Sequence, residues 1–347
     1  MKTIRTAVLS MSMLLLLWST AMSHPTTASA DNTDAEAGYR LLIYYGSPKG
    51  VNQVWDEHKA AEILAAYDVL VFGEGLEEPG HRQYRSTKTI FRLIHERNQA
   101  ARLFGYIDLA VSTGHSAETL KTKARQWKKL GADGIFLDCA GFDYDVSRAR
   151  LNEIVRYIHT LDMPVFVNAW NPDDVLGSAV HPEWNPTGEP TALDSRDIYL
   201  FENFLLATDI TTSGSPSTFR SSFREKIDKA LRYREQLGIR LMSVSEVDYA
   251  TYSKQAVRKF FRMNEVAAGV FSLDAYGVAP EEYSGSGPTA DVVRFFPYIN
   301  NFRDYHTTNV SYLSKYEDQD FSRAGFRLHS LTGEHYYNFP ADTQFAE

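Results

Sequence analysis

The chain has 347 residues, of which 44% are hydrophobic and 23% are charged, and its formal net charge is −8. With 21 glycines, 13 prolines and one cysteine, this composition excludes an intrinsically disordered, a collagen-like and a disulfide-stapled protein. The acidic balance argues against a nucleic-acid groove or an anionic membrane surface, so no nucleic acid is expected as a partner.

The first thirty residues have the pattern of a secretory signal peptide. Lys2 and Arg5 provide a positive start, residues 7–18 are apolar, and residues 28–30 form a small-residue cleavage site. We expect cleavage after residue 30, which leaves 317 residues with a net charge of −10. An uncleaved N-terminal anchor is the alternative. No later segment is apolar for long enough to span a membrane, so the sequence predicts a secreted protein without a transmembrane segment after cleavage.

The next 260 residues alternate short apolar runs with amphipathic segments of ten or more residues, which is typical of βαβ units. The predicted strands are Leu41–Gly46, Asp68–Gly73, Arg102–Leu109, Gly134–Cys139, Val165–Trp170, Ile198–Phe204, Arg240–Val247 and Gly269–Tyr276. The predicted helices cover 52–66, 86–100, 116–130, 147–161, 218–237 and 252–267. Eight units in this length predict a (β/α)₈ TIM barrel over residues 31–300, because an open doubly wound sheet more often stops at five or six strands.

Three predicted βα segments contain long turns, of which only 177–197 lacks a full helix, and the pattern of alternating units ends beyond residue 296. Residues 177–197, 207–217 and 277–289 are long turns on the side where barrel enzymes build their sites. Residues 301–347 are predicted to be a small C-terminal extension that packs on the barrel. Residues 325–339 within it have the pattern of a β-hairpin, with a turn at 332–334. The extension is too short for an independent domain.

Six predicted strands end in or beside a carboxylate, and barrel active sites lie at the strand ends. These residues are Glu74, Asp108, Asp138, Glu202, Glu246 and Asp274. Asp138 and Glu202 each close an apolar strand, so we assign them as the catalytic residues, while the other four are expected to contact substrate. The structural alternative is a helix cap or an ion pair, which suits Asp108 and Asp274 best.

Aromatic and amide side chains accompany these carboxylates in the sequence. Tyr45, Tyr106, Asn168 and Trp170 are the predicted substrate contacts, with packing at the barrel rim as the alternative for the rings. Rings stack on the apolar faces of sugars, and carboxylates supply acid, base and hydroxyl contacts. The combination therefore favours a carbohydrate enzyme.

Other chemistries lack their motifs. The sequence has no Gly-x-Ser-x-Gly elbow and no glycine-rich phosphate loop, and its histidines show no common metal-binding spacing. We expect no cofactor and no metal, although a metal-dependent hydrolase using the same carboxylates stays an alternative. Strand alternation turns Cys139 away from the lumen if Asp138 points inward, so this cysteine is expected to be a small buried residue.

Four segments carry a family resemblance over about residues 40–205. They are Gly105-Tyr106-Ile107, the strand 133–138, the run 167–173 and the strand 197–202. In this order they resemble the spherulin-4-like and endo-α-1,4-polygalactosaminidase-like group of secreted (β/α)₈ glycoside hydrolases. The resemblance implies hydrolysis of an α-linked, galactosamine-type exopolysaccharide, with Asp138 as the strand-four Asp and Glu202 as the strand-six Glu.

The resemblance and the pattern of carboxylates lead to one mechanism and one competing function. We assign Glu202 as general acid and Asp138 as nucleophile or base, with the roles exchangeable, in a monomer acting on polysaccharide. Relatives commonly carry Glu after the strand-four Asp, where this chain has Cys139. This departure motivates the alternative of a non-catalytic glycan-binding or cell-envelope-associated barrel.

Overall fold

The computed structural model describes residues 39–207, 223–271, 273–281, 283 and 289–294, together with the backbone of three short strands beyond residue 309. The predicted signal peptide lies outside the described residues. Within the described part, no helix combines the length and the apolar character needed to cross a membrane.

Eight parallel strands close into a barrel in which each strand pairs with the next and the eighth pairs with the first. The strands are β1 Tyr39–Tyr44, β2 Val69–Phe72, β3 Arg102–Asp108, β4 Gly134–Asp138, β5 Val165–Asn168, β6 Ile198–Phe201, β7 Arg240–Val247 and β8 Ala275–Pro280. The predicted (β/α)₈ fold is confirmed. We call the end formed by the C-termini of these strands the mouth and the opposite end the bottom.

The described residues contain seven α-helices between the strands, and several of these helices start at a capping side chain. The helices are α1 Glu57–Leu64, α2 Tyr84–Arg97, α3 Ala117–Leu130, α4 Arg148–Thr160, α5 Pro172–Leu176, α6 Phe223–Leu237 and α7 Lys254–Val270. Asp56, Ser116 and Ser147 each accept a hydrogen bond from the backbone N–H three residues later, which satisfies a free donor of the first turn. The single turn and a half of α5 agrees with the predicted lack of a full helix over 177–197.

The alternation of side chains along the strands produces two apolar cores. Inside the barrel, Phe166 makes edge-to-face contacts with Phe104 and Phe136 at centroid distances of 5.6 and 5.2 Å. Between the sheet and the helices, Trp127 lies flat against Gly105, where a Cβ atom would stand 2.0 Å from the indole. The aromatic layer inside the barrel separates the mouth from the bottom.

The position of the last barrel strand differs from the prediction. Residues 269–273 were assigned to a strand, but the helix α7 continues to Val270, and Phe271 and Leu273 pack in the outer core. The strand β8 therefore begins only at Ala275, and Asp274 precedes it at the bottom of the barrel. The prediction of Asp274 as a substrate contact at the mouth is wrong, because a short apolar run could not be distinguished from the end of a buried helix.

Asp274 belongs to a set of four aspartates that precede the even-numbered strands. Each side chain accepts a backbone N–H of the preceding odd-numbered strand at 2.8–2.9 Å. The pairs are Asp68 with Arg40, Asp133 with Leu103, Asp197 with Val165 and Asp274 with Leu241. These carboxylates satisfy amides at the strand starts and tie neighbouring strands together at the bottom.

Beyond the barrel, three strands form a small antiparallel sheet in the order β11-β10-β9. They are β9 Val310–Tyr312, β10 Phe326–Ser330 and β11 Tyr336–Phe339. The pairing of β10 with β11 confirms the predicted hairpin, although its turn at 332–334 lies outside the described residues. The strand β9, paired with β10, was not predicted.

Candidate active site

Four side chains of neighbouring strands meet at the mouth. Tyr106, Asp138, Asn168 and Glu202 each stand two residues beyond an apolar residue of the barrel interior, so strand alternation turns them inward as well. They come from β3, β4, β5 and the residue just after β6. The structure thus brings the two predicted catalytic residues together with two of the predicted substrate contacts.

The amide of Asn168 bridges the two carboxylates that are predicted to be catalytic. Its Nδ2 donates to Oδ1 of Asp138 at 2.9 Å and to Oε2 of Glu202 at 3.2 Å. Because both oxygens bind the same nitrogen, they lie within about 6.1 Å of each other. Asn168 is 9% exposed, so the sheet holds this bridge in place.

Asp138 is a half-buried carboxylate held by three donors. The Tyr106 hydroxyl donates to its Oδ2 at 2.9 Å, and the backbone N–H of Cys139 donates to its Oδ1 at 2.9 Å, beside the Asn168 bond. No Lys or Arg among the described residues forms an ion pair with it. Burial raises the pKa of Asp138, and the charge of Glu202 raises it further. Asp138 therefore loses its proton at a higher pH than an ordinary aspartate does.

Glu202 receives a second hydrogen bond from a residue that the sequence analysis missed. The hydroxyl of Tyr283, a side chain only 4% exposed, donates to Glu202 Oε1 at 2.8 Å. Burial and the charge of Glu202 hold the pKa of Tyr283 well above its ordinary value, so the phenol keeps its proton and stays a donor. Tyr283 lies in the predicted loop 277–289, but a chain with 20 tyrosines offers no local signal that selects this one.

Tyrosine rings surround the carboxylate pair. The centroid of Tyr45 lies 5.2 Å from that of Tyr106 and 5.6 Å from that of Tyr283. Burial is the main cause that raises the pKa of Tyr45, and the charges of Asp138 and Glu202 add to it. The predicted contact Tyr45 therefore lies beside the pair.

Two further predicted carboxylates lie close to this cluster. Asp108 pairs in register with Asp138, and its Oδ1 accepts the backbone N–H of Ala110 at 2.8 Å, which closes the turn after β3. The negative charge of Glu246 contributes to the raised pKa of Tyr283, which places Glu246 near the mouth. Asp108 therefore has the capping role that the sequence allowed, while Glu246 adds negative charge beside the pair.

Glu74 does not join the cluster, and its predicted position at the mouth is wrong. Gly73 takes the inward position after β2, so alternation turns Glu74 outward, where it forms an ion pair with Lys123 of α3 at 3.0 Å. Lys123 also binds the buried Glu77 at 3.1 Å. Burial raises the pKa of Glu77, and both glutamates serve the packing of the loop after β2 against α3.

Trp170 is an exposed residue at the rim of the mouth. Its ring is 48% exposed and stands 4.9 Å below Nζ of Lys226. All the exposed large hydrophobic side chains of the described residues share this location on βα segments around the mouth. They are Trp55, Val111, Tyr144, Trp170 and Val180.

Trp55 is the most constrained of these rim residues. Its φ is +48°, an uncommon conformation for a bulky side chain, and nearby Asn52 and Gln53 also have positive φ. The side chain of Asn52 holds this loop by exchanging two hydrogen bonds with the backbone of Val293 at 2.7 and 2.9 Å. Strain held by surrounding contacts is frequent at ligand-binding positions.

Cys139 has the features of a structural residue. It is half-buried, and burial followed by the charge of Asp138 raises the pKa of its thiol to about 12. A thiol with this pKa is protonated at neutral pH and is a poor nucleophile. Its φ of +52° follows from the turn that aims its backbone N–H at Asp138.

Among the described residues, one trio has the proximity needed to hold a metal ion. Potential ligand atoms of His159, Asp194 and Asp197 lie within 4.8 Å of one another at the bottom of the barrel. Asp197 already accepts the N–H groups of Val165 and Asp194 at 2.8 and 2.9 Å and contacts His159 at 3.0 Å. The bond from Val165 is the one that the aspartates before the other even-numbered strands also make. The trio therefore has a structural explanation.

The fold and the site define a (β/α)₈ barrel with an amide-bridged carboxylate pair at its mouth. No protein-family model matches the chain, and no curated protein matches it. Solved structures match at low identity. The glycoside hydrolase domain of PelA from Pseudomonas aeruginosa has a TM-score of 0.44 and 13% identity, with 74% of this chain and 99% of that chain covered.

Two further solved structures have still lower TM-scores. The HpcH/HpaI aldolase from Desulfitobacterium hafniense has a TM-score of 0.39 and 11% identity, with 72% of this chain and 89% of that chain covered. The carboxyl transferase domain of Rhizobium etli pyruvate carboxylase has a TM-score of 0.39 and 13% identity, with 73% and 41% covered. Values this low indicate neither a shared family nor a shared activity.

Proposed function

We propose that this protein is a secreted glycoside hydrolase that cleaves an α-linked, galactosamine-type exopolysaccharide with Asp138 and Glu202. The observation that carries the proposal is the Asn168 bridge, which holds one oxygen of each carboxylate within about 6.1 Å of the other, beside the rings of Tyr45 and Tyr106. Glycosidases need such a pair on either side of the scissile bond. Secretion rests on the signal-peptide pattern of residues 1–30.

The donors around each carboxylate suggest their roles. Asp138 accepts three hydrogen bonds, including one from a backbone N–H, and these bonds hold its carboxylate in a fixed orientation for attack. Glu202 accepts two, from Asn168 and Tyr283. We therefore retain Asp138 as nucleophile and Glu202 as general acid in the first step and general base in the second.

The separation of the carboxylates favours retention of anomeric configuration. Retaining enzymes place the two groups about 5–5.5 Å apart, whereas inverting enzymes need about 6.5–9.5 Å for an intervening water. The two oxygens that bind Asn168 lie within about 6.1 Å of each other, and on the closeness of this pair of oxygens we propose retention. In the first step Asp138 forms the glycosyl bond while Glu202 protonates the leaving oxygen, and in the second a water deprotonated by Glu202 releases the sugar.

The charge at the mouth and the rim residues suit a polymer of amino sugars. Asp108 and Glu246 add negative charge near the pair, which favours a protonated amine on the sugar. The exposed rings of Trp55 and Trp170 follow β1 and β5, which are opposite strands of an eight-stranded barrel. Two such platforms would hold sugars on either side of the scissile bond.

A non-catalytic glycan-binding protein is the second candidate. The observation that favours it is Cys139, whose pKa of about 12 keeps it uncharged at the position where the resembling family carries Glu. Such a protein would bind the polymer through the same rings and would release no reducing ends.

The deciding experiment uses the secreted form of the protein and α-1,4-galactosamine oligomers. We expect release of reducing ends with retention of the anomer by NMR, and a fall of at least about 10²-fold in Glu202→Gln. Binding by calorimetry without any turnover would support the glycan-binding alternative. Full activity in Glu202→Gln would overturn the assignment of the site.

A further inference from the structure

The charge of this acidic protein is unevenly distributed along the chain. Residues 82–131, which contain α2 and α3, carry 11 Lys or Arg and only 3 Asp or Glu, a net charge of +8. The remaining 297 residues therefore carry −16. The whole-chain charge of −8 conceals this contrast. An anionic partner is unfavourable for the whole chain but favourable for this segment.

The fold places part of this positive charge along one groove. A groove of about 710 Å³ runs between α2 and α3 on the outside of the barrel. Arg85, Lys88 and Arg92 line it from one face of α2, because they are three and four residues apart, and Lys129 lines it from α3. The positive groups thus form a row along α2 with one more opposite.

Three of these cations have no partner among the described residues. The side chains of Arg85, Lys88 and Lys129 are exposed and form no ion pair or hydrogen bond within the described part of the chain. Arg92, in contrast, is paired with Glu96. Other lysines of the segment are occupied on the far side of α3, where Lys121 binds Glu153 at 2.9 Å. The groove therefore offers about three free positive charges.

The shape and lining of the groove restrict the partner. Neighbouring helix axes lie about 8–10 Å apart, so a groove between them admits one extended chain and not a duplex. A single-stranded nucleic acid needs a row of rings on which its bases stack, whereas Phe91 is 1% exposed and leaves Tyr84 as a half-buried ring at one end of α2. An acidic helix would need apolar side chains of the groove as anchor points, whereas Phe91 and Leu130 of the lining are each only 1% exposed.

We propose that the groove between α2 and α3 binds a linear anionic polysaccharide through Arg85, Lys88 and Lys129, at a site separate from the mouth. The carboxylates of such a chain are complementary to the row of cations, and its hydroxyl groups suit the polar side chains Thr89 and Gln99. The mouth is acidic and repels the same polymer. The groove would attach the protein to an acidic matrix while the mouth stays free.

The test measures binding of the secreted form to polygalacturonate, double-stranded DNA, polyglutamate and phosphatidylglycerol vesicles at 50 and 200 mM salt. With three ionic contacts the logarithm of the affinity should fall with the logarithm of salt at a slope of about −2, which is roughly 16-fold over this range. We expect polygalacturonate to bind most tightly. Arg85→Glu/Lys88→Glu should weaken it at least about 10-fold at 50 mM salt.

The matched control is Arg232→Glu/Lys254→Glu, which changes the net charge equally at exposed positions of α6 and α7. Its binding should equal that of the wild type, and circular dichroism and the melting temperature establish that both variants fold. Equal losses of binding in both variants would show that only net charge matters, and would overturn the proposal that the groove is the binding site. No binding at 50 mM salt, or tighter binding of DNA, polyglutamate or vesicles, would also overturn the proposal. Hydrolysis of galactosamine oligomers should be unchanged in both variants, so failure here is distinguishable from failure of the proposed activity.

Discussion

The two ends of the barrel use carboxylates in opposite ways. At the bottom, Asp197 is fully buried, and each of its two oxygens accepts a backbone N–H, from Val165 and Asp194, beside the ring of His159. At the mouth, Asp138 is held by neutral donors, and its charged neighbour Glu202 is of the same sign.

The contrast shows that position along a strand decides what a carboxylate does. A carboxylate at a strand start meets free backbone amides, and its bonds stabilise the fold. Beyond a strand end it meets mainly other side chains, and burial together with the like charge of Glu202 raises the pKa of Asp138. The carboxylates at the bottom therefore stabilise the fold, whereas those at the mouth are the groups that the proposed reaction uses.

The same substitution at the two ends is the strongest way to separate these roles. Asp138→Asn should lower the rate on galactosamine oligomers about 10³-fold, because an amide cannot act as nucleophile. Its stability at pH 7 should be unchanged or higher, since the substitution removes a buried charge. Asp274→Asn, at the bottom, should keep the rate and lose stability. Rates and urea midpoints measure both, and a destabilised Asp138→Asn with normal turnover would reverse the comparison.

Asp197→Ala tests the bottom end alone. Removing one partner of a buried pair leaves His159 and two backbone N–H groups without their acceptor, so the free energy of unfolding should fall by about 3–5 kcal/mol. Urea unfolding measures this change. The value of kcat for the fraction that is folded should not change, and the exposed Asp194→Ala serves as the control with a smaller loss.

Tyr283→Phe tests the donor that the sequence missed. The variant removes the hydroxyl that donates to Glu202 but keeps the ring, so kcat should fall about 10-fold with little change in KM or melting temperature. A structural role alone would lower the melting temperature and leave kcat of the folded enzyme in place. We expect the opposite result, a lower kcat at an unchanged melting temperature.

The smallest effect is expected at His95, which contacts Asp133 at 3.0 Å at the bottom. The hydrogen bond from His95 to Asp133 raises the pKa of the histidine. The stabilisation is therefore complete below the unfolded pKa of about 6.5 and is lost as pH rises through the higher folded value. His95→Gln should cost less than about 1 kcal/mol at pH 6 and still less at pH 9, by urea unfolding. A cost that increases with pH would contradict this pairing.

Much of the barrel was predictable because its signals are local. Seven of the eight predicted strands overlap the observed ones closely, and β7 has the predicted bounds Arg240–Val247. The eighth failed because the apolar residues 269–273 fit the end of a helix as well as a strand. For the site, the sequence points to Asp138 and Glu202 because each follows an apolar strand. Glu74 was expected to face the mouth, but Gly73 takes the inward position, so Glu74 faces outward.

The sequence by itself determined the (β/α)₈ fold and the position of Asp138 and Glu202 at strand ends, because hydrophobic periodicity and strand ends are properties of neighbouring residues. Only the tertiary structure decided that Asn168 bridges the pair, that Tyr283 donates to Glu202 and that Asp274 lies at the bottom. These contacts join residues separated by 30 or more positions, and their geometry follows from barrel closure, which no local pattern contains.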